Sequence, residues 1–201
     1  LYTPVAVYMR LRDIYPQSAL MESSDYHGND NSRSFIGIHP MANIQVGHGV
    51  IRSTYPDGTV DETVIDTSVK GKAKDAVANA INDFISHFKV EGEGKDFCGL
   101  YGYTTFNAVR YFEDIDVKDA TMEKNDAPDI YYIMYRDVIV FDHFNNSMQI
   151  ISLAEDASDI TDILRAINKQ NIKPYSFKPI EETTSTLTNE EHKANVRKCV
   201  K

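Results

Sequence analysis

Two short stretches decide the fold of this chain: LMES at residues 20–23 and, after ten further residues, SFIG at residues 34–37. Each belongs to an apolar run, and the segment between them has the Gly, Asn, Asp and Ser content of a connecting loop. We therefore predict two neighbouring strands, 18–23 and 33–38, that carry Glu22 and Arg33 near their adjoining ends.

The charged pair Glu22 and Arg33 has two interpretations. An exposed pair beside a loop is commonly solvated surface and contributes only about 0–1 kcal/mol to stability. Alternatively, the pair forms the polar end of an amino-acid pocket. An ammonium group needs a carboxylate partner, and a guanidinium group can bind both oxygens of a carboxylate. The spacing alone leaves both interpretations open.

Helices are predicted along the chain from caps and from apolar spacings of three and four residues. Thr3 and Pro4 suit the first turn of a helix that Pro16 ends. Further helices are predicted at 72–88, at 157–169, and, more briefly, around 105–111. A last helix begins with a T-x-x-E capping box formed by Thr188 and Glu191.

Strands are predicted where β-branched and aromatic residues cluster between turn signals. The turn sequence PDG at 56–58 favours a hairpin between the two strands beside it. The predicted strands are 44–46, 50–55, 59–65, 97–103, 130–134, 138–141 and 148–153. Because they come in hairpins with helices between the groups, we predict an α+β fold with a largely antiparallel sheet.

Composition excludes several classes of protein. The 201 residues carry a formal net charge of −9, whereas a nucleic-acid partner would require a basic surface. There is no apolar run long enough to predict a transmembrane helix and no secretory signal. The two cysteines, Cys98 and Cys199, lack disulfide or metal spacing, so we expect reduced thiols in a cytoplasmic protein. The histidines match no metal motif, and GLYG at 99–102 lacks the phosphate-binding pattern.

Four segments, in order, resemble the N-terminal region of anthranilate synthase component I, a chorismate-utilising family. They begin with the LMES element, which is separated from Ser34 by ten residues. The others are GLYGY at 99–103 with VRYFE at 109–113, PDIY at 128–131 with VIVFDH at 138–143, and TNEEH at 188–192. The chain departs from the family pattern at Met21, which replaces Leu, and at Cys98, which replaces Gly. It has Arg33 where enteric members have Lys.

The resemblance implies a division of the chain. Residues 1–172 would form an N-terminal regulatory domain, 173–187 a Pro-, Ser- and Thr-rich linker, and 188–201 the first helix of a chorismate-binding catalytic domain. Since the chain starts without Met and stops inside that helix, we expect an N-terminal fragment of a larger subunit.

The resemblance also implies a function. The full-length enzyme would convert chorismate to anthranilate and pyruvate, using Mg²⁺ and ammonia from a glutamine amidotransferase component II. Its catalytic residues would lie in the other domain, so none is assigned here, and the fragment is expected to be inactive alone. The part present would bind L-tryptophan as a feedback inhibitor. The implied effector residues are Met21, Glu22, Ser23, Arg33 and Ser34.

Other functions fit the same residues. Component I of 4-amino-4-deoxychorismate synthase shares parts of the pattern, and there the matching pocket would hold tryptophan as a structural ligand. Two alternatives are not enzymes: a stand-alone amino-acid-binding module and an interaction scaffold for the glutaminase. Tight tryptophan binding by these 201 residues alone would favour the stand-alone module.

Overall fold

The computed structural model describes residues 2–23, 32–66, 72–113, 115, 117, 127–153, 158–169, 176, 178–180 and 185–200. Two long antiparallel strands dominate it: β2 (Arg33–Gly47) and β6 (Ile130–Asp142). Their register runs from the pair Arg33 and Asp142 to the pair Val46 and Ile130. Both are rich in β-branched and aromatic residues, which favour a pleated and buried surface.

Five shorter strands complete a seven-stranded sheet in which every pairing is antiparallel. Strand β1 pairs with β2, and β7 pairs with β6. The path through the others is β4-β3-β2-β6-β5. The short strands are β1 (Ala19–Met21), β3 (Val50–Thr54), β4 (Val60–Val64), β5 (Leu100–Thr104) and β7 (Ser147–Ser152). The predicted α+β class and the hairpin at Asp57 and Gly58 are confirmed.

Two strand predictions were wrong in the same way. The segments 33–38 and 44–46 are one strand, and so are 130–134 and 138–141. His39 at φ 55° and a bulge between Pro40 and Ala42 keep β2 continuous. On β6 the polar Asp137, which looked like part of a turn, is fully buried and hydrogen-bonded to His39. Tertiary pairing therefore overrides the local turn signals.

Four α-helices and two 3₁₀ turns are found in the described ranges. Thr3 caps the first helix by accepting a hydrogen bond from the Ala6 N–H, and the predicted capping box of Thr188 and Glu191 is present. The helices are α1 (Pro4–Leu11), α2 (Lys72–Ser86), α3 (Ser158–Ile167) and α4 (Asn189–Cys199). The 3₁₀ turns are Lys95–Phe97 and Phe106–Tyr111.

The sheet is packed on both faces. On one face, α1 and α3 cover a buried cluster that includes Ile36 and Ile139. A second cluster packs α2 against the strands through Ile44, Val77 and Phe84. Side chains alternate across a strand, so the neighbours of these residues form a third cluster on the opposite face. This cluster contains Ile133, Tyr135, Val138 and Val140, with Phe35 and Tyr101 packed against it.

The chain divides into two compact units, Leu1–Gln170 and Asn171–Lys201. The first contains the sheet with α1, α2 and α3, and the second contains α4. The boundaries predicted at residues 172 and 187 stay predictions, and most of the predicted linker and the loop 24–31 lie outside the described residues. No helix among the described ranges is long and apolar enough to cross a membrane.

Candidate functional site

A cavity of about 500 Å³ lies at one end of the sheet. Its walls come from the residues that open helix α1 (2–4), from Glu22 just after β1, and from the turn between β6 and β7 (141–143 and 146–148). Pockets for small molecules commonly measure about 300–1,000 Å³. The volume is therefore suitable for a metabolite of amino-acid size.

Strand pairing places Glu22 at this cavity. Leu20 pairs with Ile36, and both belong to the apolar cluster under α1 and α3. Glu22 follows two residues later, so the alternation of a strand directs it to the same face as Leu20. Its side chain is exposed and lines the cavity. A solvent-accessible carboxylate there can accept hydrogen bonds from an ammonium group.

Ser23 and Ser34 are joined next to the cavity. The Ser23 N–H donates to Ser34 Oγ at 3.1 Å. Ser34 Oγ also lies 2.7 Å from Nε2 of His143, and the Ser34 side chain is fully buried. These contacts tie the end of β1 to β2 and to the end of β6.

Arg33 lies at the start of β2, close to the end of β1 as predicted, but it is not among the described residues that line the cavity. It precedes Ser34 on β2 and therefore faces the opposite side of the sheet, where its guanidinium group lies 5.4 Å from the centre of the Phe97 ring. Its Nε lies 3.7 Å from Oδ2 of Asp142, which does line the cavity. By this alternation Arg33 and Glu22 lie on opposite faces, and Arg33 approaches the cavity only through its ion pair with Asp142. Met21 pairs with Phe35 on β2.

Asp142 is fixed by the turn that follows it. The Asn145 N–H donates to one carboxylate oxygen at 2.8 Å, and the Asn145 side-chain amide donates to the other at 3.1 Å. These hydrogen bonds, with a smaller contribution from the charge of Arg33, hold the pKa of Asp142 below its ordinary value. The carboxylate therefore stays charged to a lower pH than that of an ordinary aspartate.

Sequence reasoning missed Asp142 and His143 as members of this site. Both lie in the VIVFDH segment, which the sequence analysis used only for the family resemblance. Ser34 and His143 are 109 residues apart. Only the register of β2 against β6 brings them together, and no local spacing signals that register.

A second polar cluster lies further along the same two strands. Asp137 Oδ2 lies 2.6 Å from Nδ1 of His39 and accepts a hydrogen bond from Nε of Arg136 at 3.0 Å. The His39 ring stands edge-on to Tyr15, with ring centres 4.7 Å apart. Asp137 is fully buried, whereas His39 and Arg136 are each about one-third exposed. The cluster ties the β2 bulge to β6.

Comparison with known proteins shows the family. The family model of chorismate binding enzymes matches residues 17–201, so the chain belongs to the chorismate-binding enzyme family. Among the described residues, no group of three His, Cys, Asp or Glu side chains is arranged to hold a metal ion.

Two similar curated proteins are both named anthranilate synthase component 1. The chain is 27% identical over 165 residues to anthranilate synthase component 1 of Methanothermobacter thermautotrophicus, covering 81% of this chain and 32% of that protein. It is 29% identical over 150 residues to anthranilate synthase component 1 of Methanothermobacter marburgensis, covering 74% and 29%. The chain therefore spans about a third of the length of these relatives.

A solved structure is also similar. It is the crystal structure of anthranilate synthase component I from Streptococcus pneumoniae TIGR4, with a TM-score of 0.43 and 18% identity. The similarity covers 83% of this chain and 33% of that one.

Proposed function

We propose that this chain is the N-terminal, regulatory part of an anthranilate synthase component I and that it binds L-tryptophan as a feedback inhibitor. The observation that carries the proposal is a cavity of amino-acid size that Glu22 lines, beside which the N–H of the next residue, Ser23, donates to Ser34 Oγ. Membership of the chorismate-binding family supports the enzymatic context.

Each proposed effector residue has a distinct role. Glu22 binds the ammonium group of tryptophan, since a carboxylate is its strongest partner. Ser23 contacts the amino-acid backbone, and Ser34 braces the strands beside it. Met21, the apolar member of the set, is proposed to line the indole pocket; its partner Phe35 packs on the face of the sheet opposite Glu22, so this contact requires a shift at the end of β1. Arg33 acts through Asp142, to whose carboxylate it is ion-paired from the other face of the sheet.

Inhibition requires a second conformation of the larger subunit. Tryptophan must bind the poorly active arrangement more tightly than the active one, and a coupling free energy of about 1–3 kcal/mol gives strong feedback. In this proposal the remaining two thirds of the subunit bind chorismate and Mg²⁺ and convert chorismate to anthranilate and pyruvate. A glutamine amidotransferase, component II, supplies the ammonia.

The test uses the full-length subunit together with its Ser23→Phe variant. The bulky ring should displace the end of β1 that presents Glu22 to the cavity, so tryptophan should no longer inhibit while anthranilate synthesis continues. Ser86→Phe, at an exposed position in the last turn of α2, is the matched control. If tryptophan inhibits Ser23→Phe as strongly as the parent enzyme, the proposed site is wrong.

Two further measurements separate the alternatives. The product formed from chorismate distinguishes anthranilate synthase from 4-amino-4-deoxychorismate synthase. Calorimetry of the 201-residue chain with tryptophan distinguishes a regulatory part of an enzyme from a stand-alone amino-acid-binding module. Weak binding by the chain and tight binding by the subunit are expected here.

A further inference from the structure

His143 is held rigidly at the end of β6. Its backbone N–H donates to the Ser32 carbonyl at 3.0 Å, which extends the β2–β6 ladder by one hydrogen bond beyond the pair Arg33 and Asp142. The following turn is fixed by the Asn145 bonds to Asp142. The backbone that carries the imidazole ring is therefore fixed, and His143 lines the cavity.

A short chain of hydrogen bonds joins the imidazole ring to the backbone of Ser23, the residue after Glu22. Nε2 of His143 lies 2.7 Å from Ser34 Oγ, and Ser34 Oγ accepts the Ser23 N–H at 3.1 Å. Ser23 is the next residue after Glu22. A change at the imidazole ring is thus transmitted to the segment that presents the carboxylate to the cavity.

We propose that His143 is a positioning residue of the effector site, acting through Ser34 to hold Ser23 and Glu22 in their binding geometry. The proposal rests on the proposed tryptophan site and adds to it a residue that is distant in the sequence but adjacent in the fold. The hydroxyl group of Ser34 receives the Ser23 N–H on one side and meets the imidazole nitrogen on the other. Without the imidazole nitrogen, the fully buried hydroxyl loses a partner, which has a free-energy cost.

A hydrolytic Ser–His pair does not account for the same contact. A nucleophilic serine must be reached by its substrate, but the Ser34 side chain is fully buried. Its oxygen also accepts the Ser23 N–H, which makes it a weaker nucleophile. The pair is therefore a structural brace of the binding site.

The experiment compares two replacements of His143 in the full-length subunit. His143→Phe keeps the ring but removes the nitrogen, whereas His143→Gln places an amide near the position of Nε2. We expect His143→Phe to weaken tryptophan binding about tenfold in calorimetry, the scale of one lost buried hydrogen bond, and His143→Gln to restore most of it. His192→Phe, at an exposed position on α4, is the matched control.

A double-mutant cycle that combines His143→Phe with Ser34→Ala tests whether His143 acts through Ser34. If His143 acts through Ser34, adding His143→Phe to Ser34→Ala should cause little further loss of affinity. Full additivity of the two changes, or unchanged tryptophan affinity in His143→Phe, would overturn the proposal. Absence of tryptophan binding in the parent subunit would instead reject the site as a whole, and the positioning role with it. Near-ultraviolet circular dichroism identifies any variant that fails to fold. If His143→Phe does not fold, the tryptophan affinities of His143→Gln and Ser34→Ala test the positioning role instead.

Discussion

The ring of Tyr135 lies directly against Gly37. A Cβ atom added to Gly37 would stand 2.3 Å from Cδ2 of Tyr135 and 2.6 Å from two other ring atoms. The ring cannot easily move aside, because Tyr135 is 2% exposed and its hydroxyl donates to the Gln17 carbonyl at 3.1 Å. The absence of a side chain at Gly37 therefore lets the Tyr135 ring, which comes from β6, pack directly on the backbone of β2.

Gly37→Ala should destabilise the fold by about 1–3 kcal/mol, the usual cost of overpacking a core. Urea unfolding followed by circular dichroism measures the change. Gly99→Ala is the matched control, since an added Cβ at Gly99 meets nothing within 4 Å. Equal stability of the two variants would show that the Tyr135 ring is free to shift.

Asp137→Asn tests the polar cluster that spans the β2 bulge. The substitution removes a buried negative charge from His39 and Arg136, so the free energy of unfolding should fall by about 1.5–3 kcal/mol. Asp162→Asn removes the carboxylate from an exposed ion pair with Arg165 and should cost no more than about 1 kcal/mol. The opposite order of the two losses would contradict a structural role for Asp137.

Alkaline pH should weaken the fold through two tyrosines. Burial raises the pKa of both Tyr101 and Tyr135 from 10.0 to about 12. Between these pH values the unfolded chain binds fewer protons than the folded chain, so the free energy of unfolding falls as the pH rises. Their contribution is complete below pH 10 and is lost as the pH passes about 12.

Phenylalanine variants isolate that effect. Tyr101→Phe and Tyr135→Phe should each flatten the decline of stability between pH 10 and 12, and the double variant should flatten it further. The comparison uses the slope of the unfolding free energy against pH and not its absolute value, because each substitution also removes a hydrogen bond to a carbonyl. An unchanged slope in the double variant would assign the alkaline transition to other groups.

Glu22→Gln tests the charge of the proposed tryptophan site. The substitution keeps the shape of the side chain but weakens its bond to an ammonium group, so L-tryptophan should bind about tenfold to a hundredfold more weakly. Indole-3-propionate lacks the ammonium group, and any affinity it has should be unaffected by the substitution. Calorimetry with both ligands gives the comparison, and equal weakening of both would reject an ammonium contact.

Local signals in the sequence predicted the local features of the fold. The cap at Thr3, the hairpin turn at Asp57 and Gly58, and the capping box of Thr188 and Glu191 each depend on residues within a few positions of one another. Such features form from nearby backbone and side-chain groups, so a short window contains the necessary information.

Long-range pairing explains what the sequence did not predict. His39 with Pro40, and Arg136 with Asp137, looked like breaks between strands because polar residues and proline disfavour a strand interior. In the fold these two breaks face each other, and the Asp137–His39 contact compensates for both. The same limit applies to the site, where Glu22 and Ser34 were predicted but His143 required knowledge of the register between β2 and β6.

The central position of β6 has a consequence for biosynthesis. Strands β2, β3 and β4 can assemble as soon as they leave the ribosome, but one edge of β2 lacks its partner until Ile130–Asp142 has been made. A fifteen-residue edge then stays open to other chains during nearly half of the translation of this 201-residue segment. Sheets closed by such distant pairings fold slowly, so the nascent polypeptide should depend on chaperones until β6 is complete.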